Sequence, residues 1–276
     1  MKAAVVQLAS GLDRVANRRG ATEAVRTAAG AGAGLVVLPE ATMCGFGNSR
    51  TDLAELAEPL DGPFVVALGA VAEETGTTVV AGTFEPVAGE RRVFNTVVVV
   101  SPAGLVGHYR KVHLYDALGW CESDRVHPGE PGTANAPVVA VEDLRLGVIT
   151  CYDLRFPESA RAAVDAGATV LAVPAAWVAG EHKLSHWTTL IGARAIENTA
   201  YVLAAAQPRP TYTGHSRIVD PFGVVLASLG DDEGGARPEA ICAELDAGRL
   251  EAARAALPVL RHRRFSVASP DRTADT

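Results

Sequence analysis

No apolar run in this chain approaches the ~20 residues that a membrane-crossing helix needs. Residues 1–9 carry one lysine and pass straight into a strand pattern, without the apolar core of a signal peptide. A basic stripe is also missing. The one cluster of positive charge, residues 261–264, lies near the C-terminus, and the formal net charge is -7. That balance argues against nucleic acid or an anionic membrane as a partner. Four cysteines (Cys44, Cys121, Cys151, Cys242) are scattered, and none forms a C-x-x-C pair. A disulfide framework and a zinc cage are both disfavoured, so a reduced, cytoplasmic setting is expected. No Pro/Ser-rich linker divides the chain. Residues 1–265 are therefore expected to form one domain, with 266–276 a flexible polar tail.

What is present is an alternation of strand-like and helix-like segments. Strands are predicted over 3–8, 35–38, 77–84, 93–100 and 105–109, with helices over 14–29 and from Asp61-Gly62-Pro63 to Gly76. Beyond these come strands at 144–150, 169–173 (ending at Pro174), 200–206, 216–220, 224–227 and 240–245. Helices are predicted over 158–166, 185–198 and 247–256. "AGLVVLPEA" and "ATVLAVPAA" resemble each other, which suggests two similar α/β halves. Runs such as 97–100 lack clean alternation, so both faces of those strands should be covered, as in a layered α/β sandwich.

Three reactive side chains follow predicted strands: Glu40, Lys111 and Cys151. Strand ends are where catalytic groups converge in layered α/β folds. Cys151 lies in "TCYDLRFP", at a strand-to-helix turn whose free N–H groups favour the thiolate. A carboxylate can take the thiol proton and return it to a leaving amine, while an ammonium lowers the thiol pKa and neutralises an oxyanion. The backbone N–H of Tyr152 would be a second oxyanion donor. Taken singly, each residue has a plainer role: a buried small apolar cysteine, a helix-capping glutamate, a solvated lysine.

Together, "VVLPE", "YRKVHL" and "CYDLRFPE" resemble the three catalytic motifs of the nitrilase (carbon–nitrogen hydrolase) superfamily, in the family's order. The likeness extends to "PAAW", "HW…ARAIENTAYVLAAAQ" and "GHSRIVDPFG". The resemblance implies an α/β fold, a four-layer α-β-β-α sandwich that pairs into a homodimer, with no cofactor. It implies Glu40 as general base, Lys111 as oxyanion partner and Cys151 as nucleophile. Glu122 matches a further glutamate that positions substrate or water, its alternative being a structural carboxylate that holds Lys111. Tyr152 and the phrase "CYDLRFPE" look like the Nit-type amidases, which include ω-amidases and deaminated-glutathione amidases. The implied substrate is a small, carboxylate-bearing amide, cleaved to an acid and ammonia through a thioester. Arg155 is then a candidate carboxylate clamp, against a local ion pair with Asp153 or Glu158. Phe46, Tyr115 and Trp177 are candidate pocket aromatics, against a core role.

Other signals carry less. "HKLSH" places His182 and His186 four apart but lacks the glutamate of a zinc helix. "GHSRI" has Ile218 where a nucleophile elbow needs glycine, and "GAGAG" precedes its strand instead of following it. Two competing readings stay open: an N-carbamoyl or nitrile substrate, and a non-catalytic binding protein on the same fold.

Overall fold

Valine fills all four positions from Val97 to Val100, and every one of these side chains is fully buried. Period-two alternation sends them to opposite sides. Val98 and Val100 pack with Phe64 and Leu68, whereas Val97 and Val99 pack with Leu203 and Ala205. In the computed structural model, which describes residues 1–132, 137–230 and 238–267, this rule repeats in strand after strand.

The first half contains β1 (Lys2–Gln7), α1 (Arg14–Gly30), β2 (Leu35–Val37), α2 (Leu53–Leu56), α3 (Pro63–Thr75), β3 (Thr78–Pro86), β4 (Val93–Ser101), β5 (Gly104–Arg110) and β6 (Val126–His127). Next come β7 (Val139–Val141), β8 (Leu144–Val148), α4 (Pro157–Asp165), β9 (Val170–Ala175), α5 (Lys183–Asn198), β10 (Tyr201–Ala206), β11 (Arg217–Val219) and β12 (Val225–Ser228). The described chain closes with β13 (Glu239–Glu244), α6 (Ala247–Ala256) and α7 (Val259–His262).

Two sheets result, ordered β13-β1-β2-β3-β4-β5, with β6 beside β4, and β12-β11-β10-β9-β8-β7. One apolar layer lies between them, a second lies under α1 and α3, and a third lies under α4 and α5. The fold is a four-layer α-β-β-α sandwich. Its halves repeat: β1, β2 and β3 are parallel and β4 and β5 antiparallel, and β8 to β12 follow the same scheme. The two similar phrases of the sequence fall on β2 and β9, equivalent places in the two sheets.

Several boundaries differ from expectation for identifiable reasons. β9 runs through Pro174, because its pairing with β8 ends at Ala172 and no partner there needs the missing N–H. The helix expected from Asp61-Gly62-Pro63 takes Gly62 as its N-cap, and the Glu58 carboxylate accepts the Phe64 N–H at 2.8 Å. Gly76 ends that helix at φ 70, in the left-handed region that glycine tolerates. The expected polar tail lies outside the described residues from 268 onward. No helix among the described residues is long and apolar enough to cross a membrane.

Candidate active site

Glu40, Lys111 and Cys151 are delivered by the ends of β2, β5 and β8, and all three line one cavity. Glu40 sits where the chain leaves β2 and passes hard against β3. A Cβ at Gly82 would lie 2.7 Å from the Glu40 Cα and would also strike the Ala41 backbone. Only glycine lets that turn close. Lys111 is the first residue after β5, and its backbone N–H donates to Asn95 O at 2.8 Å. Cys151 opens a 3-10 turn, Cys151–Arg155, at φ 47, an uncommon conformation for a side chain with a Cβ.

The ionisable groups then interlock. The Lys111 ammonium donates to Glu40 Oε1 at 2.9 Å and to both Glu122 oxygens at 3.0 and 2.8 Å. Glu40 Oε2 accepts the backbone N–H of Ala176 at 2.7 Å. Lys111 and Glu40 are 2% and 1% exposed, so these charges meet with little solvent between them. Burial works against the Lys111 ammonium, but the Glu122 and Glu40 carboxylates outweigh it and hold its pKa well above the ordinary value.

Cys151 behaves differently from the thiolate expected of a helix start. Burial pushes its pKa well up, and the neighbouring Glu40 carboxylate pushes it further; Lys111 opposes them without prevailing. The reason is charge balance. Lys111 is already shared by two carboxylates, so a thiolate would add an uncompensated negative charge. The resting sulfur is a thiol beside a carboxylate that can take its proton.

The Tyr152 N–H precedes the first bond of the 3-10 turn, Asp153 N–H to Thr150 O at 2.9 Å, where a helix start leaves donors free. Asp153, fully buried, fixes that turn. It accepts the Thr150 N–H at 2.9 Å, the Tyr109 hydroxyl at 2.7 Å and the His113 N–H at 3.1 Å.

Phe46, Tyr115, Arg155 and Trp177 also line the cavity. The local ion pair considered for Arg155 does not form: its guanidinium stacks 4.8 Å from the Trp177 ring centroid and bonds His186 Nδ1 at 3.3 Å. Several contributors escaped the sequence reading. Asn95 donates to Glu40 at 2.7 Å and to Glu122 at 3.1 Å. Its signal was an amide inside a mostly apolar strand. Trp120, Arg125, Lys183 and Tyr212 line the cavity from loops and from the start of α5. Burial, and then the Glu40 carboxylate, raise the Tyr212 phenol pKa, so it stays neutral there.

The model of the carbon-nitrogen hydrolase family matches residues 2–255. A deaminated glutathione amidase of Escherichia coli O157:H7 is 39% identical over 232 residues, 84% of this chain and 85% of that protein. One from Synechocystis is 37% identical over 277 residues, covering 95% and 98%. Among solved structures, a mutant amidase of Nesterenkonia sp. AN1 carries the acetamide moiety of fluoroacetamide covalently on its active-site cysteine. It superposes with a TM-score of 0.78 at 27% identity, over 96% of this chain and 94% of that one. With the family model spanning nearly the whole sequence, and relatives of this identity matched along most of their own length, the chain belongs to the carbon-nitrogen hydrolase family of the nitrilase superfamily.

Proposed function

We propose that the protein is a cysteine-dependent amidase in which Glu40, Lys111 and Cys151 perform the chemistry. The observation that carries this reading is the Glu40 carboxylate, held by Lys111, Asn95 and the Ala176 N–H beside the Cys151 thiol. The Cys151 proton passes to Glu40 as the sulfur bonds to the acyl carbon of an amide. The oxyanion is stabilised by Lys111 and the Tyr152 N–H. Glu40 then protonates the leaving nitrogen, which departs as the C–N bond breaks and a thioester remains. Water loses a proton to Glu40 and attacks the thioester, releasing a carboxylic acid and restoring the thiol. Glu122 holds Lys111 in place and shares its charge, which favours the structural alternative considered for it.

The substrate is a small, carboxylate-bearing amide, in keeping with the deaminated glutathione amidases to which the chain is similar. Residues 1–265 act as one catalytic unit, assembled as a homodimer in the cytoplasm; four unpaired cysteines suit a reducing compartment. The test is amine or ammonia release from a panel: α-ketoglutaramate, a deaminated-glutathione-like amide, aliphatic amides, an N-carbamoyl amino acid and a nitrile. Release from the carboxylate-bearing amides that disappears in Cys151→Ala supports the proposal. Full activity in Cys151→Ala, or turnover of only the carbamoyl compound or nitrile, would overturn it. A monomeric mass by light scattering would refute the dimer.

A further inference from the structure

Lys183 is the first residue of α5, reached through a turn in which His182 takes φ 59. It is 6% exposed, yet its ammonium has no carboxylate partner among the described residues. Its Nζ donates to the Tyr115 hydroxyl at 2.9 Å and lies 4.5 Å from the Tyr115 ring centroid and 5.2 Å from that of Trp177. The adjacent acid, Glu181, is exposed and pairs instead with His182 at 3.2 Å. The indole itself is fixed, since Trp177 Nε1 donates to Lys183 O at 2.9 Å.

An ammonium has three N–H donors, and a phenol oxygen accepts one. The other two belong to a side chain that lines the cavity. A buried cation lacking an anion is expensive unless water or a ligand compensates it. The contrast with Lys111 is direct. Both lysines are buried in one cavity, but Lys111 is bonded to two carboxylates and Lys183 to none. Arg155 stacks on the same indole and likewise has no acidic partner among the described residues. The cavity therefore has a charge-balanced region around Glu40 and Lys111 and a cationic wall around Trp177.

We infer that Lys183, with Arg155 beside it, binds a carboxylate of the substrate against the Tyr115–Trp177 wall while Cys151 attacks the amide. Lys183 is thus a specificity residue for amides of dicarboxylic acids. This rests on the amidase reading and adds to it a residue, a wall and a substrate class.

Glutaramate and pentanamide test the inference, because they differ only by a carboxylate in place of a terminal methyl. A lost charge-assisted hydrogen bond corresponds to about 10- to 100-fold in affinity. Lys183→Met is expected to raise KM for glutaramate by about that factor and to change KM for pentanamide far less, so that the preference for the carboxylate is lost. Lys183→Arg keeps the charge and should retain most of the preference. Binding of glutarate to Cys151→Ala protein, measured by calorimetry with Lys, Arg or Met at position 183, gives a readout free of turnover. Equal losses on both amides, or glutarate binding indifferent to residue 183, would make Lys183 a structural prop and end the proposal. A protein inert towards every amide but binding glutarate in a Lys183-dependent way would sink the amidase reading and leave the anion site standing.

Discussion

A thiolate at Cys151 would set a third negative charge beside Glu40 and Glu122, with Lys111 as the one cation bonded among them. Proton transfer to Glu40 must therefore accompany attack. Glu40→Gln is expected to lower turnover by about 10²- to 10⁴-fold, the usual contribution of a general base. It should also lower the Cys151 pKa, since one of the charges that raises it is gone; thiolate ultraviolet absorbance against pH reads this directly. Cys44 offers an independent check on burial. Its thiol is pushed up to about 11 by burial, from 9.0. The unfolded chain then loses that proton first, so folding stability falls as pH rises from about 9 to 11, and Cys44→Ala should flatten that slope in urea titrations. Gly82→Ala is expected to cost far more than a surface change, because the added methyl meets backbone at Glu40; activity and thermal stability should fall together.

At the level of elements, the site depends on one pin. Asp153 joins the Cys151 turn to β5 through Tyr109 and to the loop after Lys111 through His113. Asp153→Asn replaces an acceptor with a donor facing the Thr150 N–H or the Tyr109 hydroxyl, a buried mismatch of about 1–3 kcal/mol. Chemical denaturation should show that loss, and kcat should fall more than KM rises, because the nucleophile and the oxyanion lysine lose their common anchor. The strand ends bearing Glu40, Lys111 and Cys151 were legible in the sequence because apolar runs stop there and reactive groups follow. Asn95, Lys183 and Ala176 were not. Ala176 acts through its backbone, which no side-chain pattern reports. Lys183 reaches Tyr115 across 68 positions of chain, a meeting that topology decides. The thiolate expectation failed for a related reason: a helix start was visible locally, but the two carboxylates sharing Lys111 were distant in sequence.

Across the whole molecule, the chain closes on itself. β13 pairs antiparallel with β1 along its length, from Lys2 opposite Glu244 to Gln7 opposite Glu239. Ending the chain before β13 would bare β1 as an edge strand, so such a truncation is expected to aggregate or unfold, as size-exclusion chromatography would show. Leu203, fully buried between the sheets, belongs to the layer both halves share; Leu203→Ala should cost about 2–5 kcal/mol in denaturant titrations. The layering itself was foreshadowed by valine runs too apolar to have a wet face, whereas the division of strands between two sheets depended on pairings that composition does not encode. The paired acids around Lys111 also bear on how a cycle ends. An amide enters with an uncharged carbonyl and nitrogen at Cys151, and the acid made there ionises beside Glu40 and Glu122, whose two charges face one lysine. Repulsion from the two acids then weakens the hold on the newly formed carboxylate and favours its departure from Cys151.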